Sequence, residues 1–371
     1  MSQAKTILRK QNILSYNLPE MEVLPTGMRA ISLFTGAGGM DVGFSRAGFN
    51  ILWANDIDPD SCKTYQTNHK GIIRCGDVRN YLAEIAEFKD IDLVFGGPPC
   101  QGFSVAGKMD PTDQRSKLVF SFMDVVERVQ PKAFVMENVK ALGVLEKWSL
   151  IRDELMRKAL MLGYKFFKIT VLNATEFNVP QKRERMFFIG IREPREGFDL
   201  LESIHKYKKT APIVKTILEE LGPIGSVQNN RVCKAKITLA SQPILRKSPY
   251  AGMLFNGAGR PIDINGYSNT LPASMGGNKT PIIDEEHLKG GRSWVGDYHN
   301  HLMNGGKAKY DDAPKFLRRI TVDEAARIQT FPKEYFFHGR QNSIYKQIGN
   351  AVPCELAYAV GSAMRDILKQ D

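Results

Sequence analysis

The sequence lacks the features of a membrane, secreted or zinc-binding protein. No apolar run in its 371 residues approaches the roughly 20 residues that a membrane-spanning helix needs. The N-terminal stretch MSQAKTILRKQN has no apolar core of the kind found in signal peptides. Five scattered cysteines, without a C-x-x-C pair, disfavour a disulfide framework and a zinc site. We therefore expect a cytoplasmic protein without a metal.

Positive charge is in excess and unevenly distributed. The chain carries 51 Lys and Arg residues against 40 Asp and Glu residues, which fits a nucleic-acid partner or a merely solvated basic face. The interval from Arg231 to Lys279 holds several basic residues but a single acid, Asp263. Any polyanion-binding surface is therefore expected in that interval.

Short apolar runs alternate with helical patterns in the first half of the chain. Helix-type spacing occurs at 58–68, 117–129 and 149–162. The predicted buried strands are 30–34, 50–54, 91–95, 133–136, 166–172 and 185–191. This alternation predicts an α/β fold with a mostly parallel sheet and helices on both faces. In such sheets, ligands bind beyond the carboxyl ends of the strands.

The pattern changes after 185–191, which reads as the last strand. Residues 195–315 are rich in glycine turns and show little periodicity, and helical patterns return at 321–331 and near the C-terminus. At roughly 150 residues per domain, the length fits two domains or one domain with an insertion. The predicted division is an extension at 1–27, a cofactor-binding catalytic domain at 28–194, a smaller irregular domain at 195–338, and a return to the catalytic domain at 339–371.

The first predicted strand runs into a glycine-rich turn, FTGAGGMDVGF. Its spacing differs from G-x-G-x-x-G and no Lys-Ser/Thr follows, so a tight connection would explain the turn equally well. Asp56 follows the strand 50–54, where a carboxylate can accept both hydroxyls of a ribose, and Asp77, in CGDVRN, follows a further probable strand that lies before 91–95. Together these features suggest an adenosine-bearing cofactor, with S-adenosylmethionine fitting better than NAD.

Cys100 lies in the stretch GGPPCQGFS, beyond a predicted strand. A small buried thiol is the commonest state of a free cysteine. Here Pro98, Pro99 and Gly102 instead favour a stiff, exposed turn. A thiolate at the end of a sheet is a good nucleophile if nearby positive charge lowers its pKa.

Two further groups could assist such a nucleophile. Glu137 directly follows the predicted strand 133–136. It could be an acid that begins a helix, or a protonated carboxyl that donates to a heterocycle nitrogen. Arg183 and Arg185 are two residues apart, so they should share one face of the following strand. They form either a solvated charge run or a pair directed at a phosphate or base carbonyl.

The order of these blocks resembles the DNA (cytosine-5)-methyltransferase family, in its prokaryotic restriction-modification form. The resemblance spans residues 30 to 360 apart from 195–315. It rests on the stretches SLFTGAGGMDVGF, GGPPCQGFS, DQRSKLVF, MENV, NVPQKRER, RRITVDEAARIQTFP and QIGNAVP. It implies a methyltransferase that uses S-adenosylmethionine, with a Rossmann-like catalytic domain and a target-recognition domain at 195–338.

By this resemblance, Cys100 adds to C6 of a cytosine and the methyl group is transferred to C5. Glu137 would contact ring N3 and the exocyclic amine. Arg185 would bind the base carbonyl, and Arg183 would support that network. Because the target base must leave the stack, residues 101–117 are expected to form a mobile loop over it, with Gln101 and Ser104 touching DNA.

The resemblance also implies the cofactor residues. They are Phe34, Gly36, Ala37, Gly38, Gly39, Asp56, Ile57, Asp77, Val78, Pro99, Leu118, Asn350 and Val352. Two positions depart from the family pattern. Asp56–Ile57 stands where Glu and an aromatic residue are common, so aliphatic packing would replace adenine stacking. Ser116 replaces a frequent glycine.

The stretch SNTLPAS is similar to the Thr-Leu element of these recognition domains and places Thr270 at the phosphate of the flipped nucleotide. Candidate readers of bases or phosphates are Asn256, Arg260, Asn278 and Lys279, although each also fits ordinary turn chemistry. The implied partner is double-stranded DNA. We expect the protein to act as a monomer, in the cytoplasm and associated with the nucleoid. The alternatives are a tRNA methyltransferase of a related branch and a non-catalytic DNA-binding regulator.

Overall fold

A seven-stranded sheet forms the centre of the protein. The computed structural model describes residues 26–99, 118–309 and 311–369. The strands of the sheet are β1 (Arg29–Leu33), β2 (Asn50–Asp56), β3 (Ile72–Cys75), β4 (Leu93–Gly96), β5 (Ala133–Val139), β6 (Phe166–Asn173) and β8 (Glu184–Ile191). Their order is β3-β2-β1-β4-β5-β8-β6. The two-residue strand β7 (Gln181–Lys182) lies outside this sheet.

All neighbouring strands are parallel except at β8, which runs antiparallel to both β5 and β6. The prediction of a mostly parallel sheet is therefore confirmed. The carboxyl ends of the parallel strands meet at one edge, which collects the glycine turn after β1, the aspartate that ends β2, and the GGPP stretch after β4. This is the edge at which α/β sheets bind ligands.

Helices cover both faces of the sheet. Those of the first half are α1 (Gly39–Arg46), α2 (Pro59–Asn68), α3 (Leu82–Ile85), α4 (Leu118–Val129), α5 (Lys140–Val144) and α6 (Ser149–Met161), and those of the second half are α7 (Leu200–His205), α8 (Val214–Leu221), α9 (Glu285–Leu288), α10 (Trp294–Met303), α11 (Val322–Ile328), α12 (Gln341–Asn350) and α13 (Cys354–Leu368). On one face Phe44 of α1 stacks on Phe95 of β4, in a core shared with α13. On the other, Phe122 of α4 packs edge-on against Phe134 of β5.

The segment predicted to be irregular contains more regular structure than its periodicity indicates. Besides α7–α10, it holds β9 (Leu239–Ile244), β10 (Met253–Phe255), β11 (Ser268–Asn269) and β12 (Ile282–Asp284), and β13 (Leu317–Arg319) follows it. The strand β8 is thus the last of the main sheet but not of the chain. These later strands have two to six residues and form two-stranded sheets, too short to give a clear alternation.

The segment after β8 and the glycine turn after β1 share an apolar core. Ala37 and Val42, near the glycine turn, belong to the same buried cluster as Leu218 of α8 and Ile348 of α12. In addition, β11 pairs in parallel with β7. The division at residues 194 and 338 remains a prediction, because this core runs across both positions. Within the described ranges, no helix has the length and apolar character needed to cross a membrane.

Candidate active site

The glycine turn after β1 presents its backbone to open space. Phe34, Gly36 and Gly38 have positive φ angles of 51°, 56° and 82°, a region that glycine adopts far more readily than other residues. The backbone N–H of Thr35 donates to the Asn55 carbonyl at 3.0 Å, which ties the turn to the end of β2. A Cβ built on Gly36 would meet no atom within 4 Å. A ligand can therefore approach this backbone closely.

Asp56, the last residue of β2, lies beside the turn. Its two carboxylate oxygens accept hydrogen bonds from the backbone N–H groups of Gly36 and Asp58, each at 2.8 Å. Burial raises the pKa of Asp56, and these two hydrogen bonds oppose the rise. Each oxygen retains a lone pair for another donor. Next to it, the apolar side chain of Ile57 is 69% exposed.

These three features match the chemical groups of an adenosine-bearing ligand: an open glycine backbone, a carboxylate and an exposed apolar side chain. The carboxylate can accept from ribose hydroxyls, and Ile57 offers a surface for the adenine ring. The residues present therefore fit S-adenosylmethionine.

The other predicted cofactor residues lie at or near the same edge. Asp77 begins a short 3₁₀ helix after β3, and its hydrogen bond with Arg79 lowers its pKa. Val352 follows α12 and lies against the turn, because a Cβ on Gly39 would come within 2.6 Å of its carbonyl oxygen. Asn350 ends α12 and is exposed. Of the remaining residues, Ala37 and Val78 are buried and Pro99 and Leu118 are half-buried.

Glu137 and Arg185 form an ion pair in the middle of this edge. The Nε of Arg185 lies 2.9 Å from Oε1 of Glu137, and both side chains are largely buried. Burial raises the pKa of Glu137, while Arg185 and then Arg183 counteract that rise. A Cβ on Gly97 would come within 2.9 Å of Oε2 of Glu137. The GGPP stretch, which leads directly into Cys100, therefore packs against the carboxylate.

Arg183 contacts a helix end, unlike Arg185, which pairs with a carboxylate. It is 1% exposed, and its Nη2 donates to the carbonyl oxygens of Gly349 and Asn350 at 3.1 and 3.4 Å. Those carbonyls belong to the last turn of α12, where helix carbonyls lack intrahelical partners. The interpretation of 183–185 as a solvated charge run is therefore wrong. Arg183 contacts the end of α12 and Arg185 pairs with Glu137, while the charges of both arginines lower the pKa of that carboxyl.

A buried glutamine pair, which the sequence analysis missed, holds this region together. The Nε2 of Gln181 donates to Oε1 of Gln329 at 3.0 Å, and both side chains are fully buried. Gln329 in turn donates to the Ile348 carbonyl at 2.7 Å, and Gln181 accepts from the Leu271 N–H at 3.0 Å. The only sequence signal was the position of Gln181 in the stretch NVPQKRER, at the start of the Q-x-R-x-R block formed by Gln181, Arg183 and Arg185.

Thr270 lies beside the stretch that carries Arg183 and Arg185. It is exposed, follows β11, and its hydroxyl donates to the Lys182 carbonyl at 2.8 Å. Since β11 pairs with β7 at Gln181 and Lys182, the Thr-Leu element and the Q-x-R-x-R block adjoin. Three predicted site residues, Cys100, Gln101 and Ser104, lie outside the described residues, as does the loop 101–117.

The four candidate base or phosphate readers are exposed, and two of their segments meet. The Gly259 N–H donates to the Asn278 carbonyl at 3.0 Å, which brings the stretch before Arg260 beside Lys279. The Asn256 amide instead donates to the Thr238 hydroxyl at 2.7 Å and to the Leu239 carbonyl at 3.0 Å. The Asn256 side chain therefore ties its segment to β9 and to the residue before that strand, and its role as a reader stays a prediction.

The basic segment 231–279 contains both engaged and exposed cations. Arg231 pairs with Asp323 at 2.5 Å and Lys236 with Asp312 at 2.8 Å. Lys234, Arg246, Lys247, Arg260 and Lys279 are exposed. Among the described residues, no group of three or more His, Cys, Asp or Glu side chains is placed to hold a metal.

Comparison with known proteins agrees with this geometry. The family model of C-5 cytosine-specific DNA methylases matches residues 28–366. The Type II methyltransferase M.FnuDI of Fusobacterium nucleatum is 31% identical over 353 residues, covering 92% of this chain and 95% of its own. M1.HphI of Haemophilus parahaemolyticus is 34% identical over 348 residues, covering 90% and 86%. An Escherichia coli prophage DNA modification methyltransferase shares the fold, with a TM-score of 0.64 at 23% identity over 92% of this chain and 99% of that one.

The family match, together with the mostly parallel seven-stranded sheet, identifies an S-adenosylmethionine-dependent methyltransferase. The chain belongs to the C-5 cytosine-specific DNA methylase family. Enzymes of this family take their methyl group from S-adenosylmethionine.

Proposed function

We propose that the protein methylates C5 of a cytosine flipped out of duplex DNA, through a covalent adduct of Cys100 at C6. The observation that carries this proposal is the Glu137–Arg185 pair packed against Gly97, three residues before Cys100. An acid and a cation thus meet at the sheet edge that also holds the glycine turn, and the chain passes this pair immediately before Cys100. The relatives named as Type II methyltransferases support a role as the modification enzyme of a restriction-modification system.

The chemistry begins when the Cys100 thiolate forms a bond to C6 and the C5–C6 π electrons shift toward C5. Glu137 protonates or donates to N3, and Arg185 donates to the base carbonyl, so both stabilise the charge that spreads into the ring. Bound S-adenosylmethionine supplies an electrophilic methyl group for C5. A base then removes the C5 proton, the C5–C6 double bond forms again, and the Cys100–C6 bond breaks to release the thiolate.

The surrounding residues bind and orient the two substrates. The turn at 34–39, Asp56 and Ile57 hold the cofactor, with Asp77, Val78, Pro99, Leu118, Asn350 and Val352 completing the site. Arg183 fixes the end of α12 next to them. Domain 195–338 would recognise the target sequence, with Thr270 at the phosphate of the flipped nucleotide and Arg260 and Lys279 among the DNA contacts. We assign this work to a monomer acting at the nucleoid.

Methyl transfer from labelled S-adenosylmethionine to duplex DNA and to tRNA tests the proposal. We expect label in duplex DNA, lost in Cys100→Ala. Label confined to tRNA would contradict the choice of substrate. Bisulfite sequencing of DNA from cells that express the chain should show one methylated cytosine context. Specific DNA binding without any transfer would instead favour a regulator.

A further inference from the structure

The glycine turn rests on a tyrosine from a distant part of the chain. The hydroxyl of Tyr335 donates to the carbonyl oxygen of Ala37, and the two residues are 298 positions apart. Tyr335 lies between α11 and α12, in a buried aromatic group with Phe331 and Phe337. The stretch between α11 and α12 therefore reaches the glycine turn.

A histidine completes the contact and fixes its proton arrangement. The Nε2 of His69 lies 2.8 Å from the Tyr335 hydroxyl oxygen. Because the Ala37 carbonyl can only accept, the tyrosine proton points to Ala37, and His69 must donate from Nε2–H. Burial lowers the pKa of His69 to about 4, so at neutral pH the donor is the uncharged ring with its proton on Nε2. The ring also stacks on Tyr65, with centroids 4.3 Å apart.

The turn fits closely onto this pair. A Cβ on Gly38 would lie 2.4 Å from Nε2 of His69 and 2.8 Å from the Tyr335 oxygen. Gly38 also has a φ of 82°, so a side chain there would meet both a steric clash and backbone strain. On the α1 side, the Thr35 hydroxyl donates to Asp41 at 2.5 Å. The turn is thus held at Thr35, Ala37 and Gly38.

We propose that Tyr335 and His69 are positioning residues for S-adenosylmethionine, which fix the shape of the turn before the cofactor binds. The proposal rests on the proposed function, in which residues 34–39 hold the cofactor. A turn that is ordered in advance loses less conformational entropy on binding. Removing the Tyr335 hydroxyl leaves the Ala37 carbonyl buried without its donor and lets the turn adopt other shapes, which weakens cofactor binding.

The full-length chain offers a matched control for this contact. Tyr345 is also fully buried, and its hydroxyl donates to the Ile320 carbonyl at 2.6 Å. Tyr335→Phe and Tyr345→Phe therefore delete the same group from the same kind of bond. Only the first bond reaches the glycine turn. A purely structural role would make the two variants behave alike.

Calorimetric titration with S-adenosylhomocysteine, in the absence of DNA, measures the effect. We expect Tyr335→Phe to raise the Kd about tenfold, because the free turn relaxes to satisfy the Ala37 carbonyl and binding must restore the shape in which that carbonyl lacks a donor. Tyr345→Phe should stay within about twofold of wild type. His69→Gln, which keeps a neutral N–H donor, should bind more tightly than His69→Leu. Equal Kd values for Tyr335→Phe and Tyr345→Phe would overturn the inference.

Asp56→Ala separates this inference from the proposed function. If Asp56→Ala weakens binding while Tyr335→Phe does not, the cofactor site stands and only the positioning role is wrong. If wild type and Asp56→Ala bind S-adenosylhomocysteine equally, the site itself is misassigned and the inference fails with it.

Discussion

Arg185 reaches diagonally across the sheet to Glu137. In the antiparallel pair of β5 and β8, Arg185 stands opposite Val139, two residues beyond Glu137 on the same face. The side chains meet with 2.9 Å between Nε and Oε1. This places a cation and a carboxyl of raised pKa side by side. Such a pair can offer two donors to one edge of a flat heterocycle if the carboxyl is protonated.

Replacing Glu137 by Gln tests its role as a proton donor. The amide keeps the shape and one N–H but cannot transfer a proton to N3. We expect single-turnover methyl transfer to fall by about 10²–10³-fold, within the range of general acid catalysis. Glu184→Gln is the control, because Glu184 is exposed and pairs with Lys140. Glu137→Gln activity within about fivefold of wild type would contradict this role.

The sequence predicted what local patterns encode. Apolar runs marked β1, β2, β4, β5 and β8, but not the four-residue β3 that precedes Asp77. Asp56 ends β2, whereas Glu137, expected directly after its strand, lies inside β5. The sequence could not predict which residues far apart in the chain contact each other. Gln181 and Gln329 are 148 residues apart, and nothing near either glutamine indicates the other. The spacing of Arg183 and Arg185 likewise could not show that one contacts a helix end and the other a carboxylate.

The buried glutamine pair should show coupled energetics. Gln181→Met and Gln329→Met each leave the other amide buried with an unmet hydrogen bond, so each should lower the free energy of unfolding by about 2 kcal/mol. The double variant should lose at least about 1 kcal/mol less than the sum of the single losses. Urea denaturation measures all four proteins. Additive losses would show that the pair does not act as a unit.

The pH dependence of stability should depend on Asp41. Burial raises its pKa from an ordinary 3.8 to about 6, so the folded chain binds more protons than the unfolded chain between these values. Its contribution to stability is therefore present below pH 4 and lost as the pH rises through 6. Relative to wild type, Asp41→Asn should gain about 3 kcal/mol between pH 4 and 7.

His69 should act in the opposite sense. Its folded pKa of about 4 lies below its ordinary 6.5, so its neutral form stabilises the fold increasingly as the pH rises from 4 to 6.5. Relative to wild type, His69→Gln should lose stability over that interval. Denaturation curves at several pH values check both variants. A pH-independent difference for either one would contradict the burial of that group.

The salt dependence of DNA binding separates engaged from available cations. Arg260→Gln and Lys279→Gln should each reduce the slope of log K against log salt by about 1, as the loss of one phosphate contact does. Arg231→Gln should leave the slope unchanged, because Arg231 pairs with Asp323, whose side chain is largely buried. Fluorescence anisotropy with duplex DNA gives the slopes. Equal effects of all three variants would reject these assignments.

The most direct test of the account is covalent trapping on DNA. In duplex DNA synthesised with 5-fluorocytosine in place of every cytosine, the target is present whatever the recognition sequence. A base cannot remove fluorine from C5 as it removes the proton, so the release of the covalent adduct is blocked. Wild type with S-adenosylmethionine should form a complex stable to SDS, with the DNA joined to the peptide that contains Cys100, and Cys100→Ala should form none. An active wild-type enzyme that leaves no such complex, or a complex that persists in Cys100→Ala, would contradict catalysis through Cys100.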